Sequence, residues 1–250
     1  MKLKDKVVVI TGAGNGIGEG FAHRFSAEGA HIVLVDKDAD AVRAVAKATG
    51  GLGVGADMTI EDEVVNVVRI AESEHGPVDI WFSNAGISTP RLPGVIPAND
   101  EWEGMWHLHV MAHLYAARAL LPQMVERGDG YLLQTLSKVA IGTHVSKAAY
   151  AVTKHAGLAL GEWLAIHYRP RGVKVSCFCP GAMRTPMLLR NDFESDDPKL
   201  VNALSPEQTA DIVVKGIDSE RFLILTNEKD VQPFADRAND FDAWLNSGLV

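Results

Sequence analysis

The sequence predicts one α/β domain over residues 1–250, a doubly wound, mostly parallel sheet with helices on both faces. Three observations carry this. Short β-branched runs alternate with longer amphipathic stretches, a glycine turn follows the first run directly, and no repeat, low-complexity tract or linker divides the chain.

Each element has its own reason. The runs at 7–10, 32–35, around Val54, 78–82, 132–135 and 173–178 are rich in Val, Ile and Leu, as strands covered on both faces must be. A late strand is expected at 221–225. Between the runs, apolar residues recur at three- and four-residue spacing over 17–28, 39–48, 60–75, 101–127, 147–168 and 207–217, which predicts helices. Thr59 and Asp62 stand at N-cap and N3 spacing, and Ser205-Pro206-Glu207-Gln208 combines a cap, an N1 proline and a glutamine able to close a capping box. Gly128 and Gly172 suit helix ends. The long irregular stretch near 186–205 is expected to be a lid over a site, since such lengths in compact domains are commonly functional.

Composition excludes several functions. At 47% hydrophobic residues, 250 residues bury one large core. A formal net charge of −8 opposes a phosphate-backbone footprint, so no nucleic-acid partner is expected. The apolar run behind the charged start is too short for a signal-peptide core or a membrane span, so the cytoplasm and no membrane partner are expected. Cys177 and Cys179 alternate along one strand and lack the Cys-x-x-Cys spacing, so they read as buried thiols on one face.

The first strand leads into Thr11-Gly12-Ala13-Gly14-Asn15-Gly16-Ile17-Gly18 and then a helix. Backbone approaches a pyrophosphate only where side chains are missing, and a helix start offers unpaired N–H groups and a positive dipole end. Gly12, Asn15, Gly16, Ile17 and Gly18 are therefore candidate cofactor residues in a Rossmann-like arrangement. Asp36 ends the second strand eighteen residues beyond Gly18, where a carboxylate accepts ribose hydroxyls and repels the extra phosphate of NADP. NAD is the expected cofactor; Lys37 keeps NADP as the lesser candidate. Asp57 and Met58 follow the third strand, where Asp57 could hold the adenine amine or merely start a turn.

Tyr150 and Lys154 lie four residues apart on one helical face. A nearby cation stabilises phenolate and can bring a tyrosine into the range of a general acid/base.

With these motifs in order, the chain resembles the short-chain dehydrogenase/reductase family in its single-domain form. The resemblance rests on the glycine turn, Asn84-Ala85-Gly86 after the fourth strand, Ser137 thirteen residues before Tyr150, Tyr150-x-x-x-Lys154, and Pro180-Gly181 with Thr185. It implies hydride transfer between NAD and an alcohol or ketone. Ser137 would bond the substrate oxygen, Tyr150 pass the proton, and Lys154 hold the nicotinamide ribose while lowering the tyrosine pKa. Asn84, Ala85 and Gly86 would support and border the cofactor, with Pro180, Gly181 and Thr185 at the nicotinamide end. The family also commonly assembles as a tetramer, and the apolar helices at 101–127 and 147–168 suit that, so a homotetramer is expected, a dimer being the fallback.

One position departs from the pattern. Thirteen residues before Pro122 the family usually has an asparagine that anchors a relay water, and here stands His109. Histidine can itself relay protons near neutral pH, or the backbone alone can serve. His109 and His113 have metal-ligand spacing, but no Glu completes the motif and no metal is expected. His144, Met187 and Leu188 are substrate candidates. Met187, Leu188, Leu189 and Phe193 in the lid suggest an apolar or cyclic secondary alcohol, and Glu194, Asp196 and Asp197 disfavour anionic thioester carriers. The rivals are an NADPH-dependent carbonyl reductase, favoured by Lys37, and a non-catalytic dinucleotide-binding regulator, favoured by His109 alone.

Overall fold

The computed structural model describes residues 1–89, 94, 96–144, 146–189 and 197–247. The seven strands are β1 (Val7–Thr11), β2 (His31–Asp36), β3 (Leu52–Gly55), β4 (Ile80–Ser83), β5 (Gly130–Thr135), β6 (Val173–Cys179) and β7 (Leu223–Leu225). Their order is β3-β2-β1-β4-β5-β6-β7, and all six pairings are parallel. The chain steps outward from β1 to β3 and then returns to place β4 on the other flank of β1. At that reversal the connections leave in opposite directions, and a crevice opens beyond the carboxyl ends of β1 and β4.

Alternation along the strands divides the core in two. Val9, Val33, Trp81, Leu132 and Val175 face one side, and Ile10, Leu34, Phe82, Leu133 and Phe178 face the other. The first side is covered by α3 (Glu61–His75), α5 (Ala112–Arg127) and α6 (Ala148–Tyr168); the second by α1 (Gly16–Ala27), α2 (Ala39–Thr49) and α9 (Pro206–Asp218). The ring of Phe21 of α1 lies tilted against Phe82, 4.7 Å between centroids, and this contact helps seat α1 on the sheet.

Local chemistry follows the expectations at most ends. Ser205 and Gln208 close the capping box of α9, and Gly128 and Gly172 end helical segments at φ 66° and 86°. The cap at Thr59 is a correction. Thr59 donates both its N–H and its hydroxyl to Asp57 Oδ1, at 2.9 and 2.7 Å, which holds it in a local turn ahead of α3. Ile60 occupies the N-cap instead, with no side-chain bond.

A second correction concerns 101–127, expected as one helix. It is α4 (Asn99–Trp106) and α5, joined by the π-helical turn His107–Met111. A π-turn accommodates one extra residue and turns its side chain to a new direction. Here that residue set contains His109.

Among the described residues of the segment expected as a lid are two short helices, α7 (Pro186–Leu189) and α8 (Pro198–Val201), and a bridge pairs Met183 with Leu204. Phe193, Glu194 and Asp196 lie outside the described residues. Two unpredicted helices close the chain, α10 (Gln232–Asn239) and α11 (Phe241–Asn246). Pro233 in the first turn of one and Asp240 capping Ala243 N–H in the other were their local signals. Cys177 and Cys179 are buried and unpaired, as expected.

Candidate active site

The glycine turn is built by exclusion. Gly12 has φ 65°, and a Cβ there would stand 2.7 Å from Ala85 Cα; one on Gly18 would collide with the Gly12 carbonyl. Bare backbone thus lies where the carboxyl ends of β1 and β4 part. Asn15 N-caps α1 without a side-chain bond, so the positive end of the helix is left open to a ligand. The Ile17 side chain is buried in the core, and what it offers the turn is its N–H.

Asp36 orders the same turn. Its Oδ2 accepts Gly14 N–H at 3.0 Å and its Oδ1 accepts Asp38 N–H at 3.0 Å, and each oxygen keeps a further lone pair. Asp57 Oδ1 forms the local turn with Thr59, and Met58 is buried with its side chain in the core. These residues fit a dinucleotide: a side-chain-free turn, an uncapped helix start and a carboxylate at the end of β2.

Asn84 connects this end to the chemistry. Its Nδ2 donates to Thr11 O at 3.0 Å and to Gly12 O at 3.3 Å, while its Oδ1 accepts the Thr135 hydroxyl at 3.0 Å. Thr11 Oγ1 in turn accepts the N–H groups of Asn84 and Ala85, both at 3.0 Å. The Thr135 carbonyl then accepts Lys154 Nζ at 3.1 Å. A continuous set of bonds therefore runs from the glycine turn to the lysine. Sequence reading missed Thr135 because its role depends on the pairing of β4 with β5.

Ser137, Tyr150 and Lys154 come together at the carboxyl end of β5. Ser137 is buried beyond the strand, with its Oγ accepting Val139 N–H at 3.2 Å. Lys154 Nζ stands 5.6 Å from the Tyr150 ring centroid, and a Cβ on Gly86 would lie 3.7 Å from the same nitrogen. Burial brings the Lys154 pKa down to about 8. In the chain by itself the Tyr150 phenol is raised by burial, with the neighbouring Ser137 hydroxyl pulling it down. The expected lowering by Lys154 is not among the causes acting on the phenol; the ammonium donates to the Thr135 carbonyl.

The remaining candidates divide. Pro180 O accepts Lys138 N–H at 2.9 Å, Gly181 N–H donates to Thr226 Oγ1 at 2.9 Å, and Thr185 Oγ1 accepts Leu188 N–H at 3.3 Å at the start of α7. A Cβ on Gly16 would lie 3.4 Å from Thr185 Cγ2, so Thr185 sits over the glycine turn. Met187 is exposed and Leu188 half-buried on α7. His144 Nδ1 accepts Ser146 N–H at 3.2 Å and shapes the loop before Tyr150. His109 and His113 are both buried, and no group of three metal-ligating side chains occurs among the described residues.

A dinucleotide-type crevice beside a Ser-Tyr-Lys set defines an oxidoreductase of the short-chain class. Residues 6–195 match the family model for short chain dehydrogenases, and the chain belongs to that family. It is 32% identical to a 1-deoxy-11-beta-hydroxypentalenate dehydrogenase of Streptomyces exfoliatus, over 91% of this chain and 85% of that one. Among solved structures it resembles a 3-ketoacyl-(acyl-carrier-protein) reductase from Brucella melitensis complexed with NADH, at 29% identity, TM-score 0.85, covering 92% and 99% of the two chains. A short-chain dehydrogenase/reductase from Burkholderia phymatum in complex with NAD matches at 26% identity and TM-score 0.85, over 97% and 96%.

Proposed function

We propose that this oxidoreductase uses NAD to interconvert a secondary alcohol and a ketone, with Tyr150 as the general acid/base. The observation that carries the reading is the convergence of Ser137, Tyr150 and Lys154 beside Gly86, joined through Thr135 and Asn84 to the glycine turn. Two structural relatives hold NADH or NAD, and the Asp36 carboxylate favours the unphosphorylated ribose.

Gly12, Asn15, Gly16 and the Ile17 and Gly18 amides would hold the pyrophosphate, Asp36 the adenosine ribose, and Lys154 with Thr185 the nicotinamide end. When bound, the dinucleotide supplies the hydride chemistry. The chain's own residues do the rest. Ser137 donates to the substrate oxygen and orients it toward Tyr150. In oxidation Tyr150 Oη, as phenolate, takes the hydroxyl proton; in reduction it returns one. The Lys154 cation next to it would work against the burial that holds the phenol high.

An apolar or cyclic secondary alcohol is the proposed substrate. Exposed Met187 and Leu189 on α7 support it, as does the relative named for 1-deoxy-11-beta-hydroxypentalenate. Two buried free thiols suit a reducing compartment such as the cytoplasm.

The test is NAD reduction against a panel of secondary alcohols, wild type beside Tyr150→Phe. Activity in the wild type and a fall of about 10²–10⁴-fold in the variant is expected, the range for a lost general acid/base. Unchanged turnover in Tyr150→Phe removes the assignment. Binding of NAD without turnover on any alcohol or ketone favours the regulator reading.

A further inference from the structure

This inference rests on the reading above and assigns a role to a residue that the reading leaves without one. Ile87 N–H donates to His109 Nε2 at 3.1 Å, and a ring nitrogen that accepts an N–H carries no proton. The ring proton is therefore on Nδ1, which lies 3.0 Å from Thr153 Oγ1. Thr153 donates its own hydroxyl proton to Ala149 O at 2.8 Å and so presents a lone pair to His109. One neutral tautomer satisfies every partner. A second ring proton would face the Ile87 N–H, and the side chain is fully buried, so no solvent can relieve that clash.

The placement spans three elements. Ile87 begins the segment just beyond Gly86, and Thr153 precedes Lys154 on α6. The imidazole meets the Tyr150 ring edge-on, 5.6 Å between centroids at 89°. A Cβ on Gly86 would lie 3.5 Å from His109 Nε2 and 3.7 Å from Lys154 Nζ, so the ring also borders the strand-end floor beneath the lysine. His109 stands in the π-helical turn between α4 and α5, whose extra residue sets the direction of its side chain.

We propose that His109 is a positioning residue, whose Nδ1–H imidazole bridges Ile87 to Thr153 and wedges against the Tyr150 ring, locking α6 to the loop after β4. It does not carry the transferred proton. Burial, with the charge of Lys154 and then the neighbouring His113, also drives its pKa well below the ordinary histidine value. An asparagine at this place has a shorter side chain, whose amide reaches one of the two partners but not both.

Two measurements on the full-length protein test this without any turnover, so failure of the alcohol–ketone reading would show separately, as absent NAD reduction. Histidine-selective ¹⁵N NMR, with the signal assigned by its loss in His109→Asn, is expected to show a neutral Nδ1–H ring throughout the range in which ordinary histidines titrate. A ring that titrates in that range, or one protonated on Nε2, overturns the proposal. The second readout is Tyr150 ionisation, taken as the tyrosinate absorbance difference from Tyr150→Phe. In His109→Asn and in Thr153→Val the Tyr150 midpoint is expected to fall by about half a unit or more, because water reaches a phenol that burial now holds high. The double variant should fall no further than the larger single one, since both remove the same bridge. Unchanged midpoints in both singles, or fully additive shifts, overturn the bridge. Should His109→Asn fail to fold, Thr153→Val keeps the ring and nearly the same volume and decides alone.

Discussion

Thr135 serves Asn84 and Lys154 at once: its hydroxyl donates to Asn84 Oδ1 at 3.0 Å and its carbonyl accepts Lys154 Nζ at 3.1 Å. The end of β5 thereby ties the glycine turn after β1 to the lysine on α6. Because Asn84 is buried and uses both ends of its amide, its replacement by Ala leaves the Thr135 hydroxyl without its acceptor and takes a donor from the Thr11 and Gly12 carbonyls. An orphaned buried group costs about 1–3 kcal/mol. Asn84→Ala is expected to lower the thermal midpoint by roughly 4 °C or more, at about 2–4 °C per kcal/mol for a chain of this size. A melt indistinguishable from wild type contradicts that linkage.

Asp36 predicts cofactor choice. NAD is expected to bind at least about tenfold more tightly than NADP, about 1.4 kcal/mol. Asp36→Ala removes both the ribose acceptor and the repulsion of the extra phosphate, so the gap should narrow. It also frees Gly14 N–H, so NAD affinity should fall in the same variant. Fluorescence titration with both nucleotides checks this; equal or reversed constants in the wild type refute it.

His113 predicts an acid limb in stability. Burial, then the charge of Lys154, brings its pKa down to about 3, against 6.5 in an unfolded chain. Above pH 6.5 both states hold it neutral and it contributes no slope. Between 6.5 and about 3 only the unfolded state binds the proton, so stability falls as pH falls, by up to about 5 kcal/mol from this group at 1.36 kcal/mol per unit. Below about 3 its contribution stops growing. Denaturant unfolding of His113→Leu is expected to show a shallower pH dependence between 6.5 and 4; an identical slope assigns the acid limb elsewhere.

Assembly is predicted from α6. Val152, Trp163 and Ile166 share one helical face and are 49%, 50% and 72% exposed, an apolar stripe that a monomer leaves in water. A homotetramer is expected in sedimentation at micromolar concentration, with a dimer as the fallback. Ile166→Glu should shift the distribution to smaller species. A wild-type monomer at that concentration rules the assembly out.

Most of the fold was legible because burial writes itself into sequence at a fixed period. Runs such as Val7 to Ile10 alternate in side-chain direction yet are apolar throughout, which only a sheet covered on both faces requires. Helix ends with a committed side chain, such as Ser205 with Gln208, were equally clear. The failure at Thr59 came from a local turn: Asp57 accepts both the N–H and the hydroxyl of Thr59, and the helix starts one residue later, after Ile60.

What the sequence determined by itself was the parallel α/β order, the bare glycine turn, and the identity of Ser137, Tyr150 and Lys154 at their spacing. The break of one expected helix at His107–Met111, the tautomer of His109, and the link from Asn84 through Thr135 to Lys154 were decided only in three dimensions. The last two depend on partners 19 to 51 residues apart in the chain. Local pattern records how a segment meets the core, but a hydrogen bond between segments exists only once strand pairing and helix packing have set its length.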